Sequence, residues 1–139
     1  MREPEPKPRS CAPRVLVVED NTLVRVAICE DLRDAGFSVV EAASADEALS
    51  YLGAGQRIDL VFTDIQMPGR LDGIGLARRL RARDPALPVV LTSGSAVPPE
   101  DLDGALFLPK PYDHRRVAAI SLELTDPKRR EAPKRREAE

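Results

Sequence analysis

The polar residues of this sequence that could do chemistry follow apolar runs. Glu19 and Asp20 come directly after VLVV, Asp64 closes LVFT, Thr92 and Ser93 close VVL, and Lys110 follows ALFLP. Adjacent carboxylates repel, and burying one unpaired costs several kcal/mol or forces it to bind a proton. A positive partner is therefore expected. Three acids gathered in one crevice would hold a cation, and an all-oxygen donor set selects a hard one. Few protein ligands, with room left for water and phosphate oxygens, suit Mg²⁺ better than the many-oxygen cage of Ca²⁺. Each acid could instead cap a following helix, as Asp20 or Asn21 could. Capping does not explain a lysine and a threonine at the same edge.

The elements that must position these residues can be read from periodicity. Arg14 to Glu19 is expected to be a buried strand, after which Val24, Ala27, Ile28 and Leu32 recur at helical spacing up to Gly36. FSVVEA is a short strand, and Ser44 with Glu47 forms a capping box ahead of Ala48, Leu49 and Leu52. IDLVFTD is the third strand, Ile74, Ala77 and Leu80 mark a helix from about Gly73, and LPVVLTS is the fourth strand. ALFL is the fifth, followed by a helix carrying Val117, Ile120 and Leu124. Five strands alternating with helices predict an α/β fold, a doubly wound five-stranded parallel sheet, in which function sits beyond the carboxyl ends of the strands. If the first and third strands are neighbours, the three carboxylates converge there. The stretch GSAVPPEDLDG, residues 94–104, should hold the fourth helix, but Pro98 and Pro99 leave room for about one turn. A shortened fourth helix is expected.

Composition narrows the classes. The 139 residues fit one domain, net charge is -2, and aromatics make up 4% with no Trp, so bulk attraction to nucleic acid or membrane is not indicated. No apolar run approaches the roughly 20 residues of a spanning helix, which predicts a cytoplasmic chain. Cys11 and Cys29 have neither CxxC spacing nor a histidine cluster, and are expected to be unrelated reduced thiols. Residues 1–13 alternate proline with charge and predict a disordered leader. Residues 126–139, with PKRREA repeated, predict a charged, solvated tail. The domain is expected over residues 14–125. His114, the lone histidine, falls in the first turn of the last helix, where a solvated histidine is unremarkable.

LVVEDN, VFTDIQMPG, DGIGLARRL, VVLTSG and FLPKPY, in this order at these strand ends, resemble the receiver domain of bacterial two-component response regulators. The resemblance implies the flavodoxin-like strand order 2-1-3-4-5. It implies Asp64 as phosphoacceptor, taking its group from a histidine kinase or a histidine phosphotransfer protein. It implies Mg²⁺ held by Asp20, Asp64 and the Gln66 backbone carbonyl, with Glu19 acting through water. Thr92 and Lys110 would bind phosphoryl oxygens, Thr92 and Phe107 would form a switch, and Pro111 is a candidate for a cis bond. Such a chain is a signalling phosphoacceptor rather than an enzyme. With no output module after residue 125, it is expected to act alone, by phosphorelay or by binding a downstream protein, or to be a detached receiver of a hybrid kinase.

Two departures from the family pattern stand out. MPGRLDG is one residue longer than the commoner form, and the Pro-rich 94–104 stretch replaces much of a helix that in many receivers belongs to the output face. Two other classes stay open. A Mg²⁺-dependent aspartyl-phosphate phosphatase would want a second acid two residues after the nucleophile, where Gln66 stands. A phosphorylation-independent interaction module would not need Asp64, Thr92 and Lys110 together.

Overall fold

The structure, a computed structural model, describes residues 12–94 and 104–126. The expected leader, the charged tail and the shortened fourth helix fall almost wholly outside the described residues. The rest is a five-stranded parallel sheet in the order 2-1-3-4-5, made of β1 (Arg14–Val18), β2 (Ser38–Ala42), β3 (Leu60–Asp64), β4 (Val89–Ser93) and β5 (Leu106–Pro109). The helices are α1 (Thr22–Asp34), α2 (Ala45–Gly53), α3 (Gly73–Arg83) and α4 (His114–Leu124).

Side chains alternate across a strand, so each strand feeds two cores. Leu16 and Val18, Val61, Val89 and Leu91 pack with Ala45 and Ala48 of α2 and Leu76, Ala77 and Leu80 of α3. On the other face Val15 and Val17, Leu60 and Phe62, Val90 and Leu108 pack with Ile28, Cys29 and Leu32 of α1 and Val117 of α4. Burial on both faces explains why these strands read as unbroken apolar runs rather than as alternating ones. The buried stripe of α1 differs by one member from the periodic reading: Ala27 is exposed and Cys29 is buried. Burial pushes the Cys29 thiol up to about 11, which leaves it inert.

Local chemistry sets the helix ends. Asn21 caps α1, its Oδ1 accepting from Val24 N at 3.0 Å, so the neighbouring Asp20 is not spent on capping. After α1, Gly36 takes a φ of 101°, a left-handed conformation that glycine adopts without a Cβ penalty. Ser44 Oγ accepts from Glu47 N at 3.1 Å, and Glu47 Oε1 accepts from Ala43 N at 2.7 Å rather than from Ser44 itself. Ser44→Ala should lower unfolding stability by about 1 kcal/mol, read as a lower urea midpoint at constant m-value. No change would mean that the Glu47 contact alone holds this end. Asp72 caps α3 by accepting from Gly75 N at 2.9 Å. The long β3–α3 loop therefore absorbs its additional residue without moving the helix start away from β3, since Gly73 N still donates to Ile65 O at 2.8 Å.

Candidate functional site

The site continues one of the two cores past the ends of the strands. With a period of two, Glu19 follows Val15 and Val17, Asp64 follows Leu60 and Phe62, Thr92 follows Val90, and Lys110 follows Leu108. All four leave the sheet on the face covered by α1 and α4. The register brings them level. Asp64 pairs with Thr92, Ile65 N donates to Thr92 O at 2.8 Å, and Lys110 N donates to Ser93 O at 2.9 Å.

Lys110 reaches across the sheet from its edge strand. Its Nζ donates to Glu19 Oε1 at 3.3 Å and lies 3.5 Å from Asp64 Oδ1. The other oxygen of Glu19 accepts from Asn21 N at 3.1 Å. Glu19 and Asp64 are 3% and 7% exposed, whereas Asp20 is open to solvent. Burial raises both the Glu19 and the Asp64 carboxyls above their ordinary values. The Asn21 N–H and Lys110 oppose the rise at Glu19, as Lys110 and the Gln66 N–H do at Asp64, while Asp64 reinforces it at Glu19 and Asp20 at Asp64. One ammonium thus leaves the acids short of positive charge.

That deficit, with the donor set, fits a divalent cation. One carboxylate oxygen each from Glu19, Asp20 and Asp64 lie within 4.8 Å of one another. All are hard oxygen donors, and the solvent-facing Asp20 leaves room for water or a phosphoryl oxygen. These acids are the ones that the strand ends predicted.

The remaining expectations land in different places. Thr92 is buried level with Asp64. The Lys110–Pro111 peptide is cis. The exposed Gln66 presents its backbone N–H to Asp64. Phe107 lies on the opposite face from Thr92, level with Leu91 and packed against the α2–α3 core. His114 begins α4 with its ring 66% exposed, 3.7 Å from Asp113.

Three contributors escape the sequence reading. Arg25 and Glu41 brace the β1 end. Tyr112, packed edge-on to Phe62 with ring centroids 6.0 Å apart, closes the site from the α4 side. Burial, then Glu19 and Asp64, raise the Tyr112 phenol, and Thr92 offsets part of this; the buried hydroxyl has no hydrogen-bond partner among the described residues. The aromatic of KPY was the available signal for Tyr112. Nothing in local pattern marks a bond between Arg25 and Glu41.

A flavodoxin-like sheet whose carboxyl edge carries clustered acids and a bridging lysine has the form of a phosphoacceptor signalling domain. A family model described as the response regulator receiver domain matches residues 15–120. The chain belongs to that family, whose members are phosphoacceptors of two-component signalling and receive phosphate from histidine kinases. It is 41% identical over 108 residues to the C4-dicarboxylate transport transcriptional regulatory protein DctD of Rhizobium meliloti, covering 74% of this chain but only 23% of that protein. The solved receiver domain of the hybrid histidine kinase CckA aligns at 35% identity with a TM-score of 0.69, over 81% of this chain and 98% of that one. Response regulator protein TrrA of Thermotoga maritima, solved in complex with Mg(2+)-BeF, aligns at 26% identity and a TM-score of 0.73, over 81% and 98%. Among the described residues, no helix is long and apolar enough to cross a membrane.

Proposed function

We propose that Asp64 accepts a phosphoryl group from a histidine kinase or histidine phosphotransfer protein in a Mg²⁺-dependent step. The phosphorylated chain then signals by binding a downstream protein or by passing the group on in a phosphorelay. The observation that carries this reading is Lys110 Nζ, 3.3 Å from Glu19 and 3.5 Å from Asp64. It is a cation fixed beside the nucleophile.

A carboxylate is a weak nucleophile, so the step depends on in-line positioning and charge neutralisation. An Asp64 oxygen attacks phosphorus, the bond from phosphorus to the donor imidazole breaks, and the imidazole takes up a proton as it leaves. Lys110 neutralises one phosphoryl oxygen and the Thr92 hydroxyl donates to another. Mg²⁺, held by Asp20, Asp64 and the Gln66 carbonyl with Glu19 acting through water, would neutralise the rest of the developing charge. That TrrA, of the same fold, was solved in complex with Mg(2+)-BeF supports a Mg²⁺ role in this reading. Phe107, beside Leu91 in register and one residue from Thr92 along the sheet, is suited to relay a Thr92 movement to the α2–α3 face.

Incubation with Mg²⁺ and a small acyl-phosphate donor should give one acid-stable, base-labile phosphoryl group per chain, measured by intact mass, and Asp64→Asn should abolish it. Undiminished labelling in that variant would sink the assignment. Continuous release of phosphate over many fast cycles would favour a phosphatase instead.

A further inference from the structure

Arg25 stands near the start of α1 with its side chain 16% exposed, and it makes two directed contacts. Its Nη1 donates to the Glu19 carbonyl at 2.7 Å, and its Nε donates to Glu41 Oε1 on β2 at 3.1 Å. The second Glu41 oxygen lies 3.6 Å from Arg33 Nη2. The Glu19 N–H is held as well, by Ala42 O at 3.0 Å. Main-chain groups on both sides of Glu19 are therefore gripped, one by β2 and the other by α1.

The carbonyl that Arg25 holds belongs to the peptide joining Glu19 to Asp20. Asp20 lies between β1 and α1, is exposed, and has no side-chain hydrogen bond among the described residues. Among the described residues, its carboxylate is therefore aimed through its own backbone. We infer that Arg25, anchored by Glu41, is a positioning residue that orients the Glu19–Asp20 peptide and thereby sets the cation affinity of the acidic site. This rests on the Mg²⁺ reading given above.

The sign of the effect separates positioning from charge. Removing a positive charge near three carboxylates would, through electrostatics alone, tighten cation binding. Loss of positioning weakens it. Arg25→Lys isolates the geometry, because a lysine keeps the charge but cannot reproduce the planar fork that spans a carbonyl and a carboxylate at once.

The test is a calorimetric Mg²⁺ titration of the full chain and its variants, alongside metal-free urea unfolding. Arg25→Lys and Arg25→Ala should each bind Mg²⁺ roughly tenfold more weakly, the low end for residues that orient metal ligands. Glu41→Gln, which keeps an oxygen for Nε but loses the ion pair, should fall between them and the parent. A merely structural brace would lower the urea midpoint and leave the affinity of the folded variants unchanged. Unchanged or tighter binding in Arg25→Lys therefore overturns the inference, whatever Arg25→Ala does to folding. A parent chain that does not bind Mg²⁺ would overturn the proposed function and this inference with it.

Discussion

Gly73→Ala should destabilise the domain by about 3 kcal/mol or more, at the upper end of what overpacking costs, and slow phosphoryl labelling of whatever remains folded. A Cβ built on Gly73 would overlap the Asp64 carbonyl oxygen and stand 2.7 Å from Ile65 Cα. Both atoms are main chain, so no rotamer change relieves the clash. Either α3 lifts away from the sheet or the end of β3 moves, and the end of β3 carries Asp64, the proposed nucleophile. Gly75→Ala is the matched control. Its Cβ would meet the tip of the Leu71 side chain at 2.6 Å, which can rotate, and alanine gains about 1 kcal/mol of helix propensity over glycine. Urea midpoints should drop sharply for the first variant and shift little for the second. Equal midpoints would show that α3 does not need to seat so close to Asp64.

Asp64→Asn should raise the thermal midpoint at neutral pH in the absence of metal by several degrees, while removing the stabilisation that Mg²⁺ gives the parent. Burial raises Glu19 and Asp64 in the folded chain, so between the unfolded and the folded values the folded state holds protons that the unfolded chain has released. The stability these groups contribute is complete below their unfolded values and is lost as pH rises through the raised folded ones. At neutral pH the site is therefore a net burden on the metal-free fold. An amide at position 64 removes part of that burden and flattens the pH dependence. A cation that binds only the folded parent offsets the same burden by mass action. Thermal scans across pH, with and without Mg²⁺, would decide. A variant less stable than the parent at neutral pH without metal would show that the Lys110 contacts outweigh the desolvation of Asp64.

The residues that carry the site were legible before the fold because each ends an apolar run: Glu19 after VLVV, Asp64 after LVFT, Thr92 after VVL, Lys110 after ALFLP. Local pattern reports where a strand ends, and in a parallel α/β sheet that edge is where chemistry collects. The order 2-1-3-4-5 came instead from family resemblance, since periodicity does not say which strands are neighbours. Pairings across the sheet were hidden for the same reason. The Arg25–Glu41 bond joins a helix to a strand 16 residues away, and Lys110 meets Glu19 across 91. Resemblance names Phe107 and Thr92 together, and only the register shows that they sit on opposite faces of the sheet. For Ala27 the periodic reading fails because the buried stripe follows the i, i+3 row from Cys29 to Leu32, which leaves Ala27 on the exposed side.

If Lys110 serves Asp64 as proposed, its reach back to Glu19 also sets when the domain can accept a phosphoryl group. During synthesis the three acids leave the ribosome well before the edge strand that brings the ammonium. A nascent chain released only as far as β4 would display repelling carboxylates with no lysine among them, and it would be a poor phosphoryl acceptor. Closing so long a separation is among the slower contacts to form. Competence to be phosphorylated should therefore coincide with completion of the sheet.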